Sequence, residues 1–231
     1  MRAIPRAPLL RFDMGFELRP GLHFCETTSG FIFLDLEKDR YFRLPARLEN
    51  RFRDLLDDPL SVGSAVPSLV EAGVLRPATF RQSLSRPRLI AAISPHNALG
   101  VAAPGGFEVA RAAASDIWVA QQLRMGRLAA LIASYERSKA GRVLSTPADD
   151  DGPVRVVRAF ERAKLVRSPA NRCLSRSLAM ARRLAGLRSN ALLVIGVRAQ
   201  PFTAHSWVQS GDFVLNDTPD EVSRYTPIFF A

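Results

Sequence analysis

The sequence contains few of the residues on which disulfide-rich or metal-binding proteins depend. Its 231 residues include two cysteines, Cys25 and Cys173, and three histidines. Two thiols cannot build a disulfide framework, and they fit a reducing compartment. No Cys-x-x-Cys or His-x-x-x-His pair occurs, which disfavours a zinc site. We therefore expect neither a metal nor a cofactor.

Long apolar segments are also missing. There is no run of about 18 apolar residues, so no transmembrane helix is expected. The N-terminus has a basic start but lacks the apolar stretch and cleavage site of a signal peptide. These absences predict a cytoplasmic protein that does not enter the membrane.

The composition is ordinary for a globular protein, with 47% hydrophobic and 23% charged residues. The charge is not balanced, because 32 Lys and Arg stand against 22 Asp and Glu, a formal net charge of +10. Such a surplus allows an acidic peptide or a nucleic acid as partner but requires neither.

The front of the chain predicts a small sheet followed by helices. After an extended lead-in over residues 1–20, three short strands joined by turns are expected at Leu22–Thr27, Phe31–Asp35 and Arg40–Leu44. An amphipathic helix around Phe52 and short helices at 61–65 and 64–72 follow, with a strand-like end at 74–75. This order is typical of a winged-helix-like module.

A proline-rich stretch separates the front from the rest. Residues 76–106 contain four prolines and end in Pro-Gly-Gly, which indicates a linker with one short helix at 89–93. We therefore predict a first domain over 1–80, a linker over 81–106 and a second domain over 107–231. The second domain should begin with helices over 107–140 and 153–165 and continue with strands, which makes the whole chain α+β.

A cysteine near a helix start is the first candidate for chemistry. Residues 171–185 form a helical pattern, capped by Ser168 or Asn171, that places Cys173 on the inward face. The same pattern places four arginines on the outward face: Arg172, Arg176, Arg182 and Arg183. A helix N-terminus stabilises a thiolate, and the thiolate is the nucleophile that attacks carbonyl carbon.

A histidine and an aspartate follow this cysteine on two predicted strands. His205 lies on a strand that turns at 210–212 and pairs back, and Asp217 ends the returning strand near the level of His205. A carboxylate there can hold one imidazole nitrogen while the other accepts the thiol proton. The backbone N–H of Cys173 is an expected oxyanion donor, but no second donor is evident.

Each of these residues alone has a structural explanation, because single cysteines, histidines and aspartates are common in cores, strands and turns. Their joint order is what favours a thiol site of the papain or transglutaminase type. Cys25 stands between aromatic residues and is expected to serve in packing. His23 and His96 lack partners at any informative spacing.

Four motifs in this region resemble the B proteins of lasso peptide biosynthesis: N-R-C-L-S-R-S-L-A, V-I-G-V, P-F-x-A-H-S-W-V and L-N-D. The resemblance implies a transglutaminase-like cysteine protease domain with Cys173, His205 and Asp217 as its triad. His-Ser-Trp departs from the commoner His-Ala-Trp of the family, a change that should leave the chemistry untouched.

The front half is similar to the leader-recognition element found in many peptide-modifying systems. The resemblance implies that a precursor leader adds as a strand beside the third strand of the sheet and packs on the third helix. The matching positions for leader binding are Arg40, Tyr41, Phe42, Arg43, Leu44 and Leu69. It also implies leader removal, after which a separate asparagine-synthetase-like cyclase closes the ring.

Two other functions remain open from the residues themselves. The same triad could serve an amidase or acyltransferase on another substrate, since hydrolysis and transfer share a thioester. A winged-helix DNA binder is the second alternative. It is disfavoured because residues 64–72 contain no Lys or Arg, whereas a DNA-reading helix needs basic residues.

Overall fold

The computed structural model describes residues 15–58, 65–78, 84, 91, 94–95, 103–140, 151–164 and 172–231. By packing, the chain divides into two compact units, Met1–Pro20 with Leu44–Ser85 and Gly21–Arg43 with Arg86–Ala231. The predicted helices at 61–65 and 89–93, the loop over 145–152 and the candidate caps Ser168 and Asn171 lie wholly or mostly outside the described residues, as does His96.

The described part of the first unit contains two strands and two helices: β1 (Gly15–Leu18), α1 (Ala46–Asp57), α2 (Ala65–Glu71) and β5 (Leu75–Ala78). β1 pairs antiparallel with β5. Part of the expected lead-in is therefore a strand, and Arg76 Nε donates to Glu17 Oε1 across the pair at 2.6 Å. Phe52, Leu55 and Leu56 of α1 are buried, as the helical periodicity predicts.

The second unit includes a three-stranded antiparallel meander of β2 (Leu22–Thr27), β3 (Gly30–Asp35) and β4 (Arg40–Phe42). β4 ends two residues earlier than predicted and forms one edge of the sheet. Asp35 Oδ1 holds the β3–β4 turn by accepting from the backbone N–H groups of Glu37 and Lys38. One side of this sheet joins the main core of the unit through Cys25 and Ile32.

Four long helices of the second unit are α3 (Gly106–Arg124), α4 (Leu128–Ala140), α5 (Gly152–Lys164) and α6 (Cys173–Gly186). The single helix predicted over 107–140 is wrong, because the chain breaks between α3 and α4. Gly126 adopts a φ of +68° there, a left-handed conformation that ends a helix and that other residues rarely adopt.

The second sheet of this unit has the order β10-β7-β8-β9-β6. Its strands, with a short helix α7 (Pro219–Val222) before the last, are β6 (Ser94–Pro95), β7 (Leu192–Ala199), β8 (Phe202–Ser210), β9 (Phe213–Val214) and β10 (Thr226–Phe230). β6 runs parallel to β9 and comes from the predicted linker, which is thus more than a spacer. No described helix has the length and apolar character needed to span a membrane.

Candidate active site

The thiol of Cys173 lies at the first residue of α6, on the inward side of the helix. The N-cap residue Arg172 makes no side-chain hydrogen bond to the first turn. The first N–H groups of a helix have no acceptor within the helix, and together with the helix dipole they favour a negative charge. Cys173 is half-buried, so its thiol faces a protein cavity with access from outside.

His205 and Asp217 form a tight pair beside this helix. His205 Nε2 lies 2.7 Å from Asp217 Oδ2, and Asp217 Oδ1 accepts from the backbone N–H of Thr218 at 2.8 Å. Since Nε2 is engaged with the carboxylate, Nδ1 is left for the thiol. Cys173, His205 and Asp217 all line one cavity of ≈ 300 Å³. The structure therefore brings the three predicted residues together.

Electrostatics favour an ion pair between the thiol and the imidazole. Burial raises the pKa of Cys173, but hydrogen bonds from His205 and Ser206 outweigh it, so the pKa lies below its ordinary value. Burial lowers the pKa of His205, whereas Asp217 and Cys173 raise it to about 9. Burial raises the pKa of Asp217, but the bonds from His205 and Thr218 depress it overall. These shifts favour a thiolate paired with the His205 imidazolium, beside an ionised Asp217.

Asp217→Asn should shift the titration of this thiol. Without the carboxylate, the pKa of His205 falls from about 9 toward 6.5, and the imidazolium that stabilises the thiolate is lost at lower pH. The pKa of Cys173 then rises, and alkylation by iodoacetamide at pH 6 should slow about tenfold. Asp212→Asn, which changes a carboxylate bonded to Ser94, is the matched control. Superimposable pH profiles for Asp217→Asn and wild type would contradict the assignment.

A buried polar network fixes the strands that present this pair. Asn216 Oδ1 accepts from the backbone N–H of Val208 at 2.8 Å, and its Nδ2 donates to Ser177 Oγ at 2.8 Å. Ser177 Oγ donates in turn to the carbonyl of Ser206 at 2.9 Å. The network joins α6, β8 and the segment after β9, which are the three elements that carry the cysteine, histidine and aspartate. The one sequence signal for this network is the position of Ser177, four residues after Cys173 and therefore on the same inward face of the helix.

Aromatic rings hold the imidazole on its other sides. The His205 ring lies 5.1 Å from the Tyr225 ring and 6.2 Å from the Trp207 ring, measured between centroids. Trp207 is fixed by its Nε1, which donates to Gln209 Oε1 at 3.1 Å. These contacts leave His205 little freedom to turn away from the cavity.

Two cations also line the cavity, and the sequence prediction missed both. Arg176 was expected to point outward with three other arginines; this is wrong, because Arg176 is only 8% exposed. Lys164, the last residue of α5, donates from Nζ to the backbone carbonyl of Asn216 at 2.8 Å. Burial and the neighbouring Arg176 lower the pKa of Lys164.

The other cysteine and one other histidine are packing residues in the structure. Cys25 is 1% exposed, and burial raises the pKa of its thiol to about 12, which leaves no reactive thiolate. The ring of His23 packs edge-on against Phe229 with centroids 4.8 Å apart. Neither lines the cavity that contains Cys173.

The residues predicted to bind a leader are divided between surface and core. Tyr41 packs edge-on against Phe202 at 5.4 Å, and Phe42 stacks on Phe33 at 5.3 Å. The charged neighbours are exposed: the Arg40 guanidinium lies 5.4 Å from the Phe42 ring centre, and Arg43 donates to the carbonyl of Ser29 at 2.6 Å. Leu44 is buried and Leu69 is fully buried, so neither presents a surface to a peptide.

Comparison with known proteins identifies the class of the second unit. Residues 117–230 match the family model of the transglutaminase-like superfamily. The chain thus carries a transglutaminase-like domain in a mixed α+β fold, as predicted. The winged-helix character of the front remains a prediction.

A match to one curated protein gives a more specific similarity than the superfamily. Over 48 residues the chain is 52% identical to the microcin J25-processing protein McjB of Escherichia coli. The aligned stretch covers 21% of this chain and 23% of that protein. Together the two matches confirm the resemblance to the lasso peptide B proteins. No solved structure matches the chain.

Proposed function

We propose that this protein is the leader peptidase of a lasso peptide pathway, which binds a precursor leader and cleaves the leader–core bond with Cys173. The observation that carries the proposal is the Cys173, His205 and Asp217 constellation at the start of α6, with 2.7 Å between imidazole and carboxylate. The matched processing protein is consistent with this role.

The geometry supports a two-step hydrolysis. The Cys173 thiolate attacks the carbonyl carbon of the scissile bond, and the backbone N–H of Cys173 donates to the oxyanion that forms. The intermediate collapses to a thioester as the leaving amine takes a proton from His205. His205 then removes a proton from water, whose oxygen attacks the thioester. The leader leaves with a new carboxylate, the core leaves with a free amine, and the thiolate–imidazolium pair is restored.

Leader capture is proposed at the β4 edge of the three-stranded sheet. An edge strand offers unpaired backbone groups to an added strand. Burial and, to a smaller extent, the charge of Cys173 raise the pKa of the Tyr41 phenol on β4. Arg40, the first residue of the strand, and Arg43, directly after its end, are exposed and suit an acidic leader. Holding the leader on the same chain raises the concentration of the scissile bond at the thiol.

The proposed pathway has two further components, the precursor peptide and an asparagine-synthetase-like cyclase that joins the freed amine to a side-chain carboxylate. The test is incubation of the purified protein with a candidate lasso precursor peptide, followed by mass spectrometry. Separate leader and core products are expected, and the sum of their masses should exceed the precursor mass by one water. A precursor that stays intact, or gains mass through acyl transfer, would refute the peptidase proposal and favour the amidase or acyltransferase alternative.

A further inference from the structure

The cavity that contains Cys173 carries more positive charge than its chemistry requires. Arg176, Lys164 and the His205 imidazolium stand against the Asp217 carboxylate and at most one further anion, the Cys173 thiolate, so cations outnumber anions. No carboxylate of the described residues pairs with the Arg176 guanidinium, although the side chain is only 8% exposed. An uncompensated buried cation is costly to a fold, and a bound anion removes that cost.

The position of Arg176 directs this charge toward the reacting atoms. Arg176 follows Cys173 by three residues on α6, so the two side chains are neighbours on one helix face. Helical side chains lean toward the N-terminus, which in α6 is the end that holds Cys173. Lys164 reaches the same cavity from α5 and is held beside Asp217 by its bond to the Asn216 carbonyl. The two cations come from different helices and meet at one place.

We propose that Arg176 and Lys164 form a carboxylate-binding subsite beside the thiol. This inference rests on the proposed peptidase function, which supplies two sources of a carboxylate: the new C-terminus of the released leader and an acidic side chain near the scissile bond. The C-terminal carboxylate of the leader forms at the carbonyl carbon that is bonded to the Cys173 sulfur in the thioester. Arg176 and Lys164 bind this group and take no part in breaking the peptide bond.

Competition between two thiol reagents tests the subsite without any precursor. Iodoacetate and iodoacetamide both alkylate a thiolate with loss of iodide, but only iodoacetate carries a carboxylate. The ratio of the iodoacetate rate to the iodoacetamide rate at Cys173, read by peptide mass spectrometry, should fall about tenfold in Arg176→Gln, because the cationic side chain that raises the local concentration of the anionic reagent is removed. Arg176→Lys should keep most of the ratio. Arg155→Gln, an exposed arginine on α5, should leave it unchanged.

The ratio cancels general changes in thiol reactivity, because both reagents need the same thiolate. If Arg176→Gln does not fold, the same rate ratio is measured in Lys164→Gln, where we expect a smaller decrease. Ratios equal to wild type in both variants would overturn the subsite. So would an equal decrease in Arg155→Gln, which would show only a loss of overall charge. Failure of the protein to cleave precursor would leave this measurement intact, so the two proposals fail separately.

Peptides distinguish the two sources of the carboxylate. A leader peptide ending at the scissile bond is prepared as the C-terminal acid and as the amide, and each is used to protect Cys173 from iodoacetamide. Stronger protection by the acid, lost in Arg176→Gln, assigns the subsite to the released leader. Stronger protection by an amide peptide with Glu rather than Gln next to its end assigns it to an acidic side chain. Protection that depends on neither carboxylate would contradict the proposal.

Discussion

Cys173→Ala is expected to abolish precursor cleavage, with a loss of rate of about 10⁴-fold or more, as for other covalent nucleophiles removed from their triads. The reason is local. In the proposed mechanism the thiolate at the start of α6 forms the bond to the substrate, and Cys173 is the one cysteine among the described residues that line the cavity. The measurement is a timed mass-spectrometric assay of leader and core release at saturating enzyme.

Two comparisons make this result specific to the chemistry. Cys25→Ala should cleave at the wild-type rate, because the Cys25 thiol is buried in the core and has a raised pKa. Leader binding, followed by fluorescence anisotropy of a labelled leader, should survive Cys173→Ala and weaken when Phe42→Pro is added to disrupt β4. Cleavage that persists in Cys173→Ala would show that the nucleophile is another residue.

The proximity of the three site residues could be predicted, because each lies in a helix, strand or turn that the local sequence pattern indicates. The helical period from residue 171 turns Cys173 inward, and the tight turn at Gly211 returns the chain so that Asp217 meets His205. Their order along the chain then suffices, since adjacent antiparallel strands align by register. The Ser177–Asn216 network could not be predicted, because its hydrogen-bonding groups come together only when α6 packs on β8.

Arg176 shows where periodicity fails. A helical wheel divides residues into apolar and polar faces and assigns every arginine to solvent. Here a cavity opens at the boundary between α6 and the segment around Asp217, and the guanidinium enters it. Nothing local in the sequence distinguishes Arg176 from the other three arginines of the helix. The pairing of β6 with β9 cannot be predicted from local sequence either, because it joins residues more than 100 positions apart.

The break between α3 and α4 does have a signal in the sequence. Gly126 interrupts the apolar pattern of residues 107–140, and a glycine followed by a basic residue is a plausible helix end. The apolar positions on both sides continued the same period, which favoured one long helix. The structure resolves this conflict through the positive φ of Gly126, which lets the chain leave α3 and begin α4 two residues later.

Gly196→Ala should destabilise the protein more than other single-methyl additions. Gly196 lies on β7 directly opposite His205 in the β7–β8 register. A Cβ at this position would stand 2.8 and 2.9 Å from two ring atoms of Trp207 and 2.9 Å from Tyr225 Cβ. Trp207 cannot retreat easily, since it is 2% exposed and its indole N–H is bonded to Gln209. Overpacking of this kind costs about 1–3 kcal/mol of unfolding free energy.

The loss of stability should be accompanied by a loss of activity, because the two residues that must move are the ones whose rings flank His205. Thermal unfolding should show a Tm lowered by about 2–4 °C for each kcal/mol, and alkylation of Cys173 at pH 6 should slow as the imidazolium shifts. Gly186→Ala is the matched control, since a Cβ there meets no atom within 4 Å. If the two variants melt together, the close approach of Trp207 to β7 does not constrain the histidine, and the support of His205 must come from Asp217 and the Asn216 network alone.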